Sequence, residues 1–87
     1  MIKPIEVKAI EKYKVWVKFS DGVQGELDLS HLAGKPVFKF WDEGDEFYKA
    51  YIHPLSDAVT WKEDVDIDPL NMYLKITGKK FEDVNYY

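Results

Sequence analysis

The densest group of potential ligands is Glu63-Asp64-Val65-Asp66-Ile67-Asp68. Alternate spacing along an extended chain turns several carboxylates to one side, an arrangement that suits a hard cation. An EF-hand loop counted from Asp64 puts Pro69 where the sharp-turn glycine belongs and Lys75 where the bidentate glutamate belongs, so that pattern fails. The plainer reading gives Asp68 to a helix cap, Val65 and Ile67 to anchoring the chain, and Asp64 and Asp66 to solvent or nearby amides. His31 and His53 are the only histidines, and with no cysteine they assemble no set of three or four zinc ligands. Ser20, Ser30 and Ser56 fall in turn or cap contexts, none of them in Gly-x-Ser-x-Gly. Gly22 and Gly25 belong to a turn and a strand rather than to the start of a helix, so they form no phosphate loop. No catalytic, cofactor-binding or metal-binding residue is assigned, and a metal-dependent enzyme using Asp64, Asp66 and His53 ranks third among the functional readings.

The aromatic residues offer a different chemistry, recognition. Trp16 falls among Lys14, Lys18 and Glu26 on the polar side of a strand, where an exposed tryptophan serves as an interface anchor. Trp16, Lys14 and Lys18 are therefore the expected partner contacts. The alternative is that the tail or the middle helices cover Trp16. Phe38, Trp41, Tyr51 and Trp61 could line a small-ligand pocket between the middle helices and a second hairpin, although plain core packing explains them more simply.

Composition limits the choice. The chain has 87 residues, 12 lysines and no arginine against 16 acids, for a net charge of −4. Residues 1–40 carry +2 and residues 41–87 carry −6, so neither half is a basic patch. Without the planar guanidinium, phosphate clamping and bidentate guanine readout lose their usual agent, and direct nucleic-acid binding is not expected. An apolar content of 46% implies a folded chain with one core. No apolar run approaches the roughly 20 residues that span a bilayer, and charges at Lys3, Glu6 and Lys8 interrupt any signal sequence. The expectation is a cytoplasmic protein with no membrane association.

These side chains need elements to hold them. Tyr13, Val15, Val17 and Phe19 alternate with Lys14, Trp16 and Lys18, and Val23, Gly25, Leu27 and Leu29 alternate with Gln24, Glu26 and Asp28. A Ser20-Asp21-Gly22 loop closing on a left-handed glycine sets Lys14 opposite Asp28 and Trp16 opposite Glu26, with every odd residue on the core face. Ile5 to Ile10 adds a strand with Ile5, Val7 and Ala9 on one side, with Glu11-Lys12 as the connection. Ser30 is expected to cap a turn ended by Gly34, and Pro36 to open a short helix carrying Val37, Phe38, Phe40 and Trp41. Phe47 to Ile52 reads as a strand paired with Ala58 to Trp61. Asp68, Pro69 and Gly78 bound a helix of about nine residues with Leu70, Tyr73, Leu74 and Thr77 at helical spacing, of which Leu70, Tyr73 and Leu74 pack on the sheet. The fold class is α+β: an antiparallel meander of three strands, short helical turns, a second β-hairpin and a short C-terminal helix packed on the sheet. Residues 1–78 form one domain and 79–87 a tail.

In order, Phe19-Ser20-Asp21-Gly22, Leu27-Asp28-Leu29-Ser30, Phe38, the Phe47 segment, Val59-Thr60-Trp61 and Val65-Asp66-Ile67-Asp68-Pro69 with Leu70 and Tyr73 resemble the bacterial domain of unknown function 2442. The resemblance runs from residue 5 to about residue 75 and departs from the family at the acidic Asp42 to Glu46 and beyond Gly78. It implies a small α+β protein without an established catalytic residue, often encoded beside another small protein in a toxin and antitoxin-like arrangement. In some relatives the domain precedes a helix-turn-helix domain, which is not expected after Gly78 here. The resemblance thus points to regulation through a partner. The leading expectation is a non-enzymatic interaction module, antitoxin-like or regulatory, that binds a small partner protein. A small-ligand sensing domain is the alternative, and either is compatible with a homo-oligomer formed through a strand edge.

Overall fold

Alternating polarity builds the first sheet. In the computed structural model, which describes residues 1–62, 65–84 and 86, strands β1 (Pro4–Glu11), β2 (Lys14–Phe19) and β3 (Gln24–Asp28) form an antiparallel meander. The β2–β3 register is the expected one, with Lys14 opposite Asp28, Trp16 opposite Glu26 and Val17 opposite Gly25. Gly22 closes the turn at φ 95°, and the Phe19 N–H donates to the Val23 carbonyl at 2.7 Å. Val15, Val17, Phe19, Leu27 and Leu29 are buried on the inner face. Two details differ from expectation. The β1–β2 register shifts between Pro4 and Glu6, so Pro4 takes the buried position and Ile5 is 51% exposed rather than half-buried with Val7 and Ala9. Tyr13 belongs to the connection rather than to β2, left-handed at φ 65°, and its ring packs near Phe47 and Trp41.

The middle of the chain is 3-10 helix, in segments Ser30–Leu32, Pro36–Asp42 and Glu46–Lys49. Pro36 opens its segment as expected, and Phe38, Phe40 and Trp41 are buried from it. Ser30 is not the cap of the first segment: its own N–H is bound by Asp28 Oδ1 at 2.8 Å, so the aspartate ending β3 does that work. The expected strand over Phe47 to Ile52 shrinks to β4 (Tyr51–Ile52). Lys49 pairs with Glu46 at 2.9 Å and Asp45 at 3.9 Å, spacings that a helical turn satisfies and a strand does not. Only Phe47 of the preceding turn is buried, while Tyr48 is exposed.

β4 pairs with β5 (Val59–Lys62), which pairs with β6 (Val65–Ile67), so the second hairpin is part of a three-stranded antiparallel sheet. Val59, Thr60 and Trp61 are all buried, so β5 is covered on both faces. The Trp61 indole N–H donates to the Phe47 carbonyl at 2.8 Å, tying this sheet to the last 3-10 segment of the middle region.

Helix α1 (Pro69–Thr77) has the expected ends. Asp68 accepts from the Leu70 N–H at 3.0 Å, and Gly78 closes it at φ 71° with its N–H on the Leu74 carbonyl. Its inward face is rotated from the expected one: Met72 and Tyr73 are buried, whereas Leu70, Leu74 and Thr77 are half-buried. The cause lies on β3, where Gly25 leaves a gap that Ile76 fills, close enough that a Cβ on residue 25 would lie 2.8 Å from Ile76 Cγ2. Beyond α1 the chain returns to the start: Tyr86 is buried against Phe19 and Tyr73, and its carbonyl accepts from the Ile2 N–H at 2.8 Å.

Candidate functional site

The outer face of the first sheet presents ordered rows of side chains. Lys8, Trp16 and Glu26 form one row across the three strands, and Glu6, Lys18 and Gln24 the next. Lys14 and Asp28 begin a third with Glu11. Residues of the edge strands in these rows are exposed, while Lys14, Trp16 and Lys18 on the central strand are half-buried by their neighbours. Trp16 stands apart from the hydrophobic core, and the Lys8 ammonium lies 5.8 Å from its ring centroid, within cation–π range. Among the described residues, Tyr86 of the tail packs on Phe19 and Tyr73, and the middle segment buries Phe38, Phe40, Trp41 and Phe47 in the core.

Charges on this face are arranged in pairs. Lys14 Nζ is 3.0 Å from Glu11, and that hydrogen bond, with the nearby charges of Glu11, Glu26 and Asp28, raises its pKa and keeps it an ammonium. Asp28 is held below the usual carboxylate range by the Ser30 N–H and hydroxyl, with Lys14 and His31 contributing. Lys8 reaches Glu6 at 3.6 Å. Among the described residues Lys18 has no carboxylate within ion-pair distance, which leaves its charge available beside the indole.

The residues proposed for a ligand pocket have separate fates. Phe38, Trp41 and Trp61 pack ring to ring, with centroids 4.4 Å apart for Phe38–Trp41 and 4.9 Å for Trp41–Trp61. They are buried core, while Tyr51 is 40% exposed and stacks on His53. His53 Nδ1 accepts from the Leu55 N–H at 3.1 Å and so braces a turn. Asp66 is exposed on β6 opposite Thr60, Asp68 caps α1, and Glu63 and Asp64 lie outside the described residues. Among the described residues no three His, Asp or Glu side chains converge as metal ligands, and no helix is long and apolar enough to cross a membrane.

A cavity of about 330 Å³ does open, between β3, the Ser30–Leu32 turn, β6 and α1. Its wall includes Leu29 and Met72, and its rim carries His31, Asn71 and Lys75. Sequence reasoning treated His31 and Lys75 separately because they are 44 positions apart; the Asn71 and Lys75 spacing of four, one helical face, was the only local signal.

A family model described as "Protein of unknown function (DUF2442)" matches residues 4–78. No curated protein and no solved structure gives a significant match.

Proposed function

The chain belongs to the DUF2442 family, and from that starting point we propose that it is a non-enzymatic interaction module whose outer sheet face binds a small partner protein, in a regulatory or antitoxin-like pair. One observation carries the reading. Of three tryptophans, Trp41 and Trp61 are in the core, whereas Trp16 is half-buried among the polar side chains of the outer sheet face. Tryptophan buries a large apolar area at small entropic cost, which is why it dominates binding hot spots. Lys14 and Lys18 flank it on the same strand, and the carboxylates of Glu6, Glu26 and Asp28 surround them. A partner that matches this face presents an apolar socket inside a rim of mixed charge, which favours a specific protein over a uniformly anionic polymer.

Tagged full-length chain and its Trp16→Ala variant, purified side by side from the native host, test the proposal. The expected result is a stoichiometric small protein retained by the first and lost from the second, with melting temperatures within a few degrees of each other. Return of the chain alone, or as a dimer joined at a strand edge, would overturn the partner reading. Parallel loss of stability and binding in Trp16→Ala would make the residue a structural one.

A further inference from the structure

The cavity beside α1 is separate from the outer sheet face and was not foreseen as a site. Leu27, Leu29 and Met72 supply a buried floor, at 8%, 3% and 2% exposure. Half-buried Leu32 and Ile67 close the sides. At about 330 Å³ the cavity falls at the small end of ligand sites and equals the volume of about eleven liquid waters. Such a space takes an apolar body of about ten non-hydrogen atoms.

The rim decides what kind of molecule this is. Lys75 Nζ lies 3.5 Å from His31 Nε2, and Asn71 stands one turn earlier on the same helix. Among the described residues Lys75 has no carboxylate within ion-pair distance. Asp28, which ends β3, is already engaged by the Ser30 N–H and by the charges of Lys14 and His31. The helix dipole accounts for a lysine in the last turn of α1, but not for an imidazole and a carboxamide gathered at the same rim above an apolar hollow. The ammonium donates to the imidazole Nε2, which orients it, and the ammonium's remaining N–H groups with the amide N–H₂ of Asn71 make a donor set for one small anion that a carboxylate fits with charge-assisted hydrogen bonds.

We propose that this cavity binds a small monocarboxylic acid with an apolar, aryl- or alkyl-sized body, its carboxylate held at the rim by Lys75, which His31 orients, and by Asn71, and its body on Leu29 and Met72. The site stands independently of the partner-binding face, and Trp16 takes no part in it.

Phenylacetate is a suitable probe, and phenethylamine, of similar shape and opposite charge, its control. Each is titrated into the full chain while the methyl resonances of Leu29, Leu32, Ile67 and Met72 are followed by NMR. Phenylacetate is expected to shift these methyls saturably, and phenethylamine to leave them in place. Lys75→Met, which keeps the length of an exposed side chain, is expected to weaken phenylacetate about tenfold, the worth of one charge-assisted bond. Leu32→Phe, which fills the hollow, is expected to abolish the shifts. Unmoved cavity methyls, equal binding of the amine, or undiminished affinity in a folded Lys75→Met chain would each overturn the proposal. Should either variant fail to fold, the acid and amine comparison on the unaltered protein still decides it.

Discussion

The first sheet and the aromatic middle region supply the two sides of one core by opposite means. In β1 to β3 the backbone comes first: paired strands satisfy one another's amides, and side chains sort by parity, Val15, Val17 and Phe19 inward and Lys14, Trp16 and Lys18 outward. Between Pro36 and Ile52 the side chains come first. Trp41 is fully buried and has ring contacts with Tyr13, Phe38, Phe40, Phe47 and Trp61, while its backbone runs through short 3-10 segments. Its indole N–H has no hydrogen-bond acceptor among the described residues, whereas that of Trp61 reaches a carbonyl. A polar group is left unpaired where aromatic packing dominates, and the 3-10 geometry follows from where the rings must go.

The sharpest way to break this comparison is Trp41→Ala. Removing the hub of the cluster is expected to cost about 3–5 kcal/mol, a large share of the stability of a domain this size, and to lower the urea midpoint accordingly. A midpoint near that of the unaltered chain would show that the aromatic cluster is not a second side of the core.

A smaller effect is expected where α1 meets the sheet. Gly25→Ala drives a methyl into Ile76, whose branched side chain on a helix has little freedom to yield, and is expected to cost about 1–3 kcal/mol. Combining it with Ile76→Ala should relieve the clash, and a double-mutant cycle in urea reads the coupling. Additive costs would mean that the helix is seated by other contacts.

The smallest effect concerns the turn that closes β2 and β3. Burial pushes the Asp21 carboxyl up, but hydrogen bonds from the Tyr73 hydroxyl at 2.6 Å and the Val23 N–H, with the charge of Lys79, outweigh it and leave the pKa below its ordinary 3.8. A lowered folded-state pKa stabilises the chain above that ordinary value and loses its contribution as pH falls through the folded value. Asp21→Asn should therefore melt below the unaltered chain at neutral pH, with the gap closing as the solution is acidified past 3.8. A gap that is constant with pH would detach Asp21 from this role.

Much of the first sheet was legible in advance because its signals are local. A three-residue loop ending in glycine sets the β2–β3 register, and register determines which side of the strand Trp16 occupies. The ends of α1 were legible for the same reason, since Asp68, Pro69 and Gly78 act on their own backbone. The strand expected over Phe47 to Ile52 failed because a run of aromatics has no period to separate strand from helix. The rotated face of α1 and the ligand cavity were illegible because each depends on residues far apart in sequence, Gly25 with Ile76 and His31 with Lys75.

Sequence alone thus settled what neighbouring residues can decide through dihedral preference and alternation: the class, the first hairpin, the ends of α1 and the polar setting of Trp16. Tertiary structure decided what requires two distant segments to compete for the same space. It placed Phe38, Trp41 and Trp61 in the core, brought Tyr86 back against Phe19, and left a hollow under Lys75, because packing energy is a property of volumes filled jointly and no single segment carries it.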